Sequence, residues 1–133
     1  MPGWRFRLLL AAVAVLACVA LLLSSGGERT ASFLREPALQ QASAELEVDG
    51  DKAILVANRL PPPPPGEVYM VWLKRPGVEA PEPTSALFTP RGDGSATASV
   101  TGVDDTEAVL VNTEQSPDVT QPTSAVLMSA TLS

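Results

Sequence analysis

Glu67-Val68-Tyr69-Met70-Val71-Trp72-Leu73-Lys74 is the stretch that decides the fold. Successive side chains of an extended strand point to opposite faces. Val68, Met70, Trp72 and Lys74 therefore share one face, and Tyr69, Val71 and Leu73 the other. The apolar set Val68, Met70 and Trp72 is expected to turn inward, with Trp72 filling a core rather than serving as an aromatic ligand platform. Stiff residues bound the strand on both sides: Pro61–Pro65 and Gly66 before it, Pro76-Gly77 after it. The five prolines cannot donate backbone hydrogen bonds and read as a rigid crossover. Their place inside the domain disfavours a second reading, a proline-rich ligand for a partner's aromatic groove.

The same texture extends outward from this strand. Glu45-Leu46-Glu47-Val48 alternates, Asp49-Gly50 turns the chain, and Lys52–Ala57 follows as a second run, which together spell a hairpin. Downstream, Ser85–Thr89, Ser95–Thr101, Thr106–Thr113 and Ala125–Leu132 are further β-prone runs separated by turn chemistry. Helical periodicity is not sustained anywhere after the N-terminal segment. The expectation is all-β: an antiparallel immunoglobulin-like β-sandwich of about seven strands over residues 44–133. Glu28 to Ala42 mixes polar residues with Pro37 and few large apolar ones, so 28–43 reads as a stalk with a short helix around Pro37–Gln41.

Leu8 to Leu23 is an unbroken run of Leu, Ala, Val and Cys behind Arg5 and Arg7. Sixteen residues make about 24 Å of helix, and Ser24–Gly27 extend it toward the length of a bilayer core. The expected layout is a cytoplasmic tail 1–7, a transmembrane or signal-anchor helix 8–27 in the lipid bilayer, and everything after it outside the cytoplasm. Two other fates are open to the segment: cleavage as a signal peptide after Gly26, and lipidation at Cys18 within Val15-Leu16-Ala17-Cys18. All three deliver the domain to the same side.

Composition excludes several function classes. The formal charge is −6, and setting Arg5 and Arg7 aside leaves seven basic against fifteen acidic residues, or about −8. A surface of that sign repels phosphate backbones, so no nucleic-acid partner is expected. The chain has no histidine and a single cysteine, Cys18, which removes Cys/His zinc sites and intramolecular disulfides. No serine has a neighbouring activating base and the glycines form no phosphate-cradling loop, so no catalytic residue and no cofactor is expected, and the chain is not expected to be an enzyme. Arg91-Gly92-Asp93 matches an integrin-adhesion tripeptide but is also ordinary turn chemistry. Asp104, Asp105 and Glu107 lack the regular spacing of a calcium loop and read as an exposed acidic turn, so no metal site is expected.

Leu60-Pro61-Pro62, Gly66-Glu67-Val68-Tyr69-Met70-Val71-Trp72-Leu73, Ser85-Ala86-Leu87-Phe88, Thr113-Glu114, Gln121-Pro122-Thr123 and Val126-Leu127 occur in this order. The arrangement resembles the extracytoplasmic C-terminal domain of anti-sigma-K factors, from about Ala44 to Leu132. One segment departs: Glu114-Gln115-Ser116-Pro117 stands where that family tends to have Glu-Pro and a glycine pair. Family members carry a cytoplasmic zinc-type anti-sigma domain before the membrane helix, where this sequence has seven residues. The resemblance thus implies the outer, sensing half of a sigma-regulating membrane protein, with a protein partner in the envelope and without direct sigma-factor capture. The alternative from composition alone is a structural or adhesive surface domain.

Overall fold

The computed structural model describes residues 28–132. The tail 1–7 and the apolar segment 8–27 with Cys18 lie outside the described residues, and with them the expected membrane helix. Among the described residues no helix is long and apolar enough to cross a membrane.

Among the described residues nine strands form two antiparallel sheets. They are β1 (Glu28–Ser32), β2 (Leu34–Arg35), β3 (Ser43–Asp49), β4 (Lys52–Asn58), β5 (Val68–Lys74), β6 (Glu82–Phe88), β7 (Ala96–Thr101), β8 (Ala108–Glu114) and β9 (Met128–Thr131). The first sheet runs β1-β3-β4-β7 and the second β2-β9-β8-β5-β6. Leu46, Val48, Leu55 and Val100 of the first meet Tyr69, Val71, Leu73, Val109 and Val111 of the second in one core. The β3–β4 hairpin closes as its sequence demands. Asp49 pairs with Lys52, and Gly50 takes the left-handed φ of 62° at the first loop position, which glycine adopts without steric cost. The proline run carries the chain from the first sheet to the second, with Leu60 buried and the Tyr69 hydroxyl donating to the Pro61 carbonyl at 2.8 Å.

Three expectations are corrected. Residues 28–43 are not a stalk. β1 pairs with β3 from Glu28↔Asp49 to Ser32↔Glu45, and the chain then changes sheet at Phe33, whose amide donates to the Ala44 carbonyl at 3.1 Å. Phe33, Leu39 and Ala42 are buried in the core, and the short helix is a single 3-10 turn, Pro37–Leu39. Of the described side chains of β1 only Ala31 packs, partly buried, against the core, so its sequence carries no apolar alternation to betray it. These segments also raise the count from about seven strands to nine.

The second correction concerns connectivity. An immunoglobulin sandwich pairs A with B in one sheet, as β1 pairs with β3 here, and sends the strand that follows B to the other sheet. Here β3 and β4 are hairpin neighbours in one sheet, and the crossing follows β4. The architecture is a sandwich; the strand order is its own.

The third concerns the deciding strand. Tyr69, Val71 and Leu73 belong to the core between the sheets, while Met70 and Trp72 lie on the outer face. Both sets are buried, Met70 and Trp72 at 0% exposure. β5 is an interior strand flanked by β8 and β6. Its two faces are almost equally apolar, so alternation cannot say which one turns inward.

Candidate functional site

The outer face of the second sheet should meet solvent, yet it holds a buried polar network. On β5 this face carries Met70 and Trp72. On β8, by the same alternation, it carries Leu110, Asn112 and Glu114, with Leu110 opposite Trp72 and Asn112 opposite Met70. The Trp72 indole N–H donates to Asn112 Oδ1 at 2.8 Å. Asn112 Nδ2 donates to Glu114 Oε2 at 2.7 Å and to the Ser124 carbonyl at 3.3 Å. The Thr123 amide donates to Glu114 Oε2 at 2.8 Å, and the Thr123 hydroxyl donates to Oε1. The Ser124 hydroxyl closes the set on the Thr113 carbonyl at 2.5 Å. The segment between β8 and β9 therefore folds back onto the sheet at Asn112 and Glu114.

Asn112 is 0% and Glu114 1% exposed. Burial pushes the Glu114 carboxyl up, but the Thr123 hydroxyl and amide, the Asn112 amide and the Ser124 backbone together hold it below the usual glutamate range. It is an anion at neutral pH. Among the described residues the ion pairs are Lys74–Glu107 and Arg75–Glu82, neither of which involves it. Hydrogen bonds to the charged form stabilise it in place of a counter-ion. Both carboxylate oxygens are occupied by donors from the same chain, so the group fixes geometry and is poorly placed to take up a proton from a ligand. Among the described residues no buried side-chain N or O atom lacks a hydrogen-bond partner.

The other motifs are held in turns. In Arg91-Gly92-Asp93 the Asp93 Oδ1 accepts the Ser95 amide at 2.9 Å and the Ser95 hydroxyl at 2.7 Å; the hydroxyl bond, then the amide, pull its carboxyl below the ordinary value. The acidic turn is organised from outside itself: Asp51 accepts the Gly102 and Asp104 amides, and Arg75 bonds the Asp104 carbonyl at 2.6 Å. Glu107 pairs with Lys74 at 3.3 Å. Among the described residues no three Asp, Glu, His or Cys are grouped to hold a metal. A groove of about 300 Å³ lies between the Pro37–Ala42 turn and Arg59–Pro61.

Sequence reading singled out Trp72 but missed Asn112, Ser124 and the role of Glu114. The one available signal was a glutamate ending an otherwise apolar strand, two and four residues along one face from Asn112 and Leu110.

No family model matches the chain, and no solved structure does. Against the anti-sigma-K factor RskA of Mycobacterium ulcerans (strain Agy99) it is 36% identical over 92 residues, 65% of this chain. Over that stretch the chain is similar to this anti-sigma-K factor. It spans 36% of that relative's length. The two separated parts of the anti-sigma-K resemblance, the Tyr69–Trp72 strand and Gln121-Pro122-Thr123, meet in space: Trp72 reaches Thr123 through Asn112 and Glu114.

Proposed function

We propose that the chain is a membrane-tethered extracytoplasmic domain that takes part in regulating sigma-factor activity by binding a protein partner. The single observation that carries this reading is the similarity to an anti-sigma-K factor over 92 residues. Segment 8–27 supplies the tether, with Arg5 and Arg7 on the cytoplasmic side. The domain acts through recognition rather than catalysis. The adhesive alternative is disfavoured because Asp93, the acid of its tripeptide, is already bonded to Ser95.

The test is genetic. Deleting the gene under envelope stress changes sigma-dependent transcripts, and restoring the whole chain reverses the change while restoring 1–27 alone does not. Unchanged transcripts in the deletion strain would remove the regulatory role.

A further inference from the structure

The β8–β9 connection, Gln115–Leu127, is the longest between strands in the described chain. None of residues 115–126 is buried; Val119, Pro122 and Val126 are half-buried and most of the others exposed. Met70, Trp72 and Asn112 have no exposed surface at all, and Asn112, the hydrogen-bond partner of Trp72, bonds the Ser124 carbonyl of this segment. The side-chain bonds that fasten the segment to the sheet converge on two adjacent residues. Thr123 gives its amide and hydroxyl to Glu114. Ser124 accepts from Asn112 and donates to the Thr113 carbonyl. Upstream of them the Asp118 amide bonds only the nearby Ser116 hydroxyl, a local turn. The core between the sheets lies on the other side of β5 and β8 and draws on none of residues 115–126.

A segment with few buried apolar contacts, fastened at one point, opens at lower free energy than the body it covers. We infer that residues 115–126 are a hinged strap closed by a Glu114–Thr123–Ser124 clasp, which opens without unfolding the sandwich and uncovers Met70 and Trp72. The hinges are where the chain rejoins the ladder: Glu114, paired with Val68, on one side, and Leu127, whose amide donates to the Val111 carbonyl at 2.8 Å, on the other. This device does not depend on the sigma-factor reading and stands or falls separately from it.

Native-state hydrogen exchange on the full chain in detergent tests it. The chain has two tryptophans, so in a Trp4→Phe background the Trp72 indole proton is a single nuclear magnetic resonance signal. In sub-denaturing urea the Trp72 indole and the Thr123 amide are expected to show protection at least about tenfold below the Leu55 amide of β4, with a weaker dependence on urea. Equal protection and an equal urea slope at all three sites would overturn the strap, because it would then open only with the whole domain. Thr123→Val keeps the backbone and removes the clasp hydroxyl; it is expected to speed exchange at Trp72 and residue 123 by up to about tenfold and to leave Leu55 unchanged. An equal change at Leu55, or no change at Trp72, overturns the clasp.

Discussion

The Trp72 indole and the Asn112 carboxamide are joined at 2.8 Å on the outer face of the β5–β8 ladder, diagonally across two register positions. Asn112 stands between Trp72 and Glu114, accepting from one and donating to the other. Truncating it to Ala leaves the indole N–H unpartnered and takes a donor from the carboxylate, at a cost of about 1–3 kcal/mol for each buried group left unsatisfied. Asn112→Asp is expected to be worse at neutral pH, since it sets a second anion beside Glu114, and to recover partly in acid. Urea unfolding of the two variants at neutral and acid pH checks both the order and the recovery.

The Glu114 carboxyl is held below its ordinary value in the folded chain. Its contribution to stability is then fully present above the unfolded-state value and is lost as pH falls through the lowered folded one. Glu114→Gln is expected to be less stable than the parent at pH 7 by about 1–3 kcal/mol. The gap should narrow below the ordinary glutamate range, as the parent carboxylate itself takes up a proton. Urea midpoints measured from pH 7 down to about pH 2 give the comparison; a gap that stays constant in acid contradicts the assignment.

Two glycines of one turn are expected to behave oppositely. Gly94 has φ 85°, and a Cβ built there would lie 2.7 Å from the Arg59 Cα and 2.9 Å from the Leu60 amide nitrogen. Gly94 also accepts the Leu60 amide through its carbonyl at 2.9 Å, tying the turn to the start of the proline crossover. Gly94→Ala should cost at least about 1–3 kcal/mol through backbone strain alone. Gly92→Ala meets nothing within 4 Å and should stay within about 0.5 kcal/mol of the parent. Thermal denaturation of the pair reads this contrast directly.

Shortening the chain tests the reassignment of residues 28–42. A chain starting at Glu28 is expected to unfold cooperatively. One starting at Ser43 loses β1, β2, Phe33 and Leu39, both of the latter only 4% exposed. Burying a side chain of that size is worth about 1.5–3 kcal/mol, so two of them amount to a large part of a total near 5–15 kcal/mol. A broad or absent urea transition is predicted for the shorter chain. A transition equal to that of the longer one would return 28–42 to the status of a stalk.

The hairpin at Asp49-Gly50, the proline crossover and the strand at 68–74 were legible in the sequence because each carries a local physical signature: a positive-φ turn, missing backbone donors, and a short run of β-branched and aromatic residues between turn signals. β1 was not, since Glu28-Arg29-Thr30-Ala31-Ser32 owes its state to pairing with β3 across thirteen or more residues. The inward face of β5 was not either. An interior strand sealed on one side by a core and on the other by a strap looks apolar on both. The strap itself is polar, and its partners Glu114 and Thr123 are ordinary residues whose meaning comes only from the fold bringing them together.

Whether Trp72 is an internal strut or a surface offered to a ligand is decided by equilibrium urea unfolding of Trp72→Ala, followed by far-ultraviolet circular dichroism. Trp72 is fully buried and hydrogen-bonded to Asn112, and removing such a side chain costs about 3–5 kcal/mol. A domain with about 5–15 kcal/mol in all should show a midpoint displaced far toward lower urea. A midpoint within error of the parent would contradict the buried network and make Trp72 a binding surface.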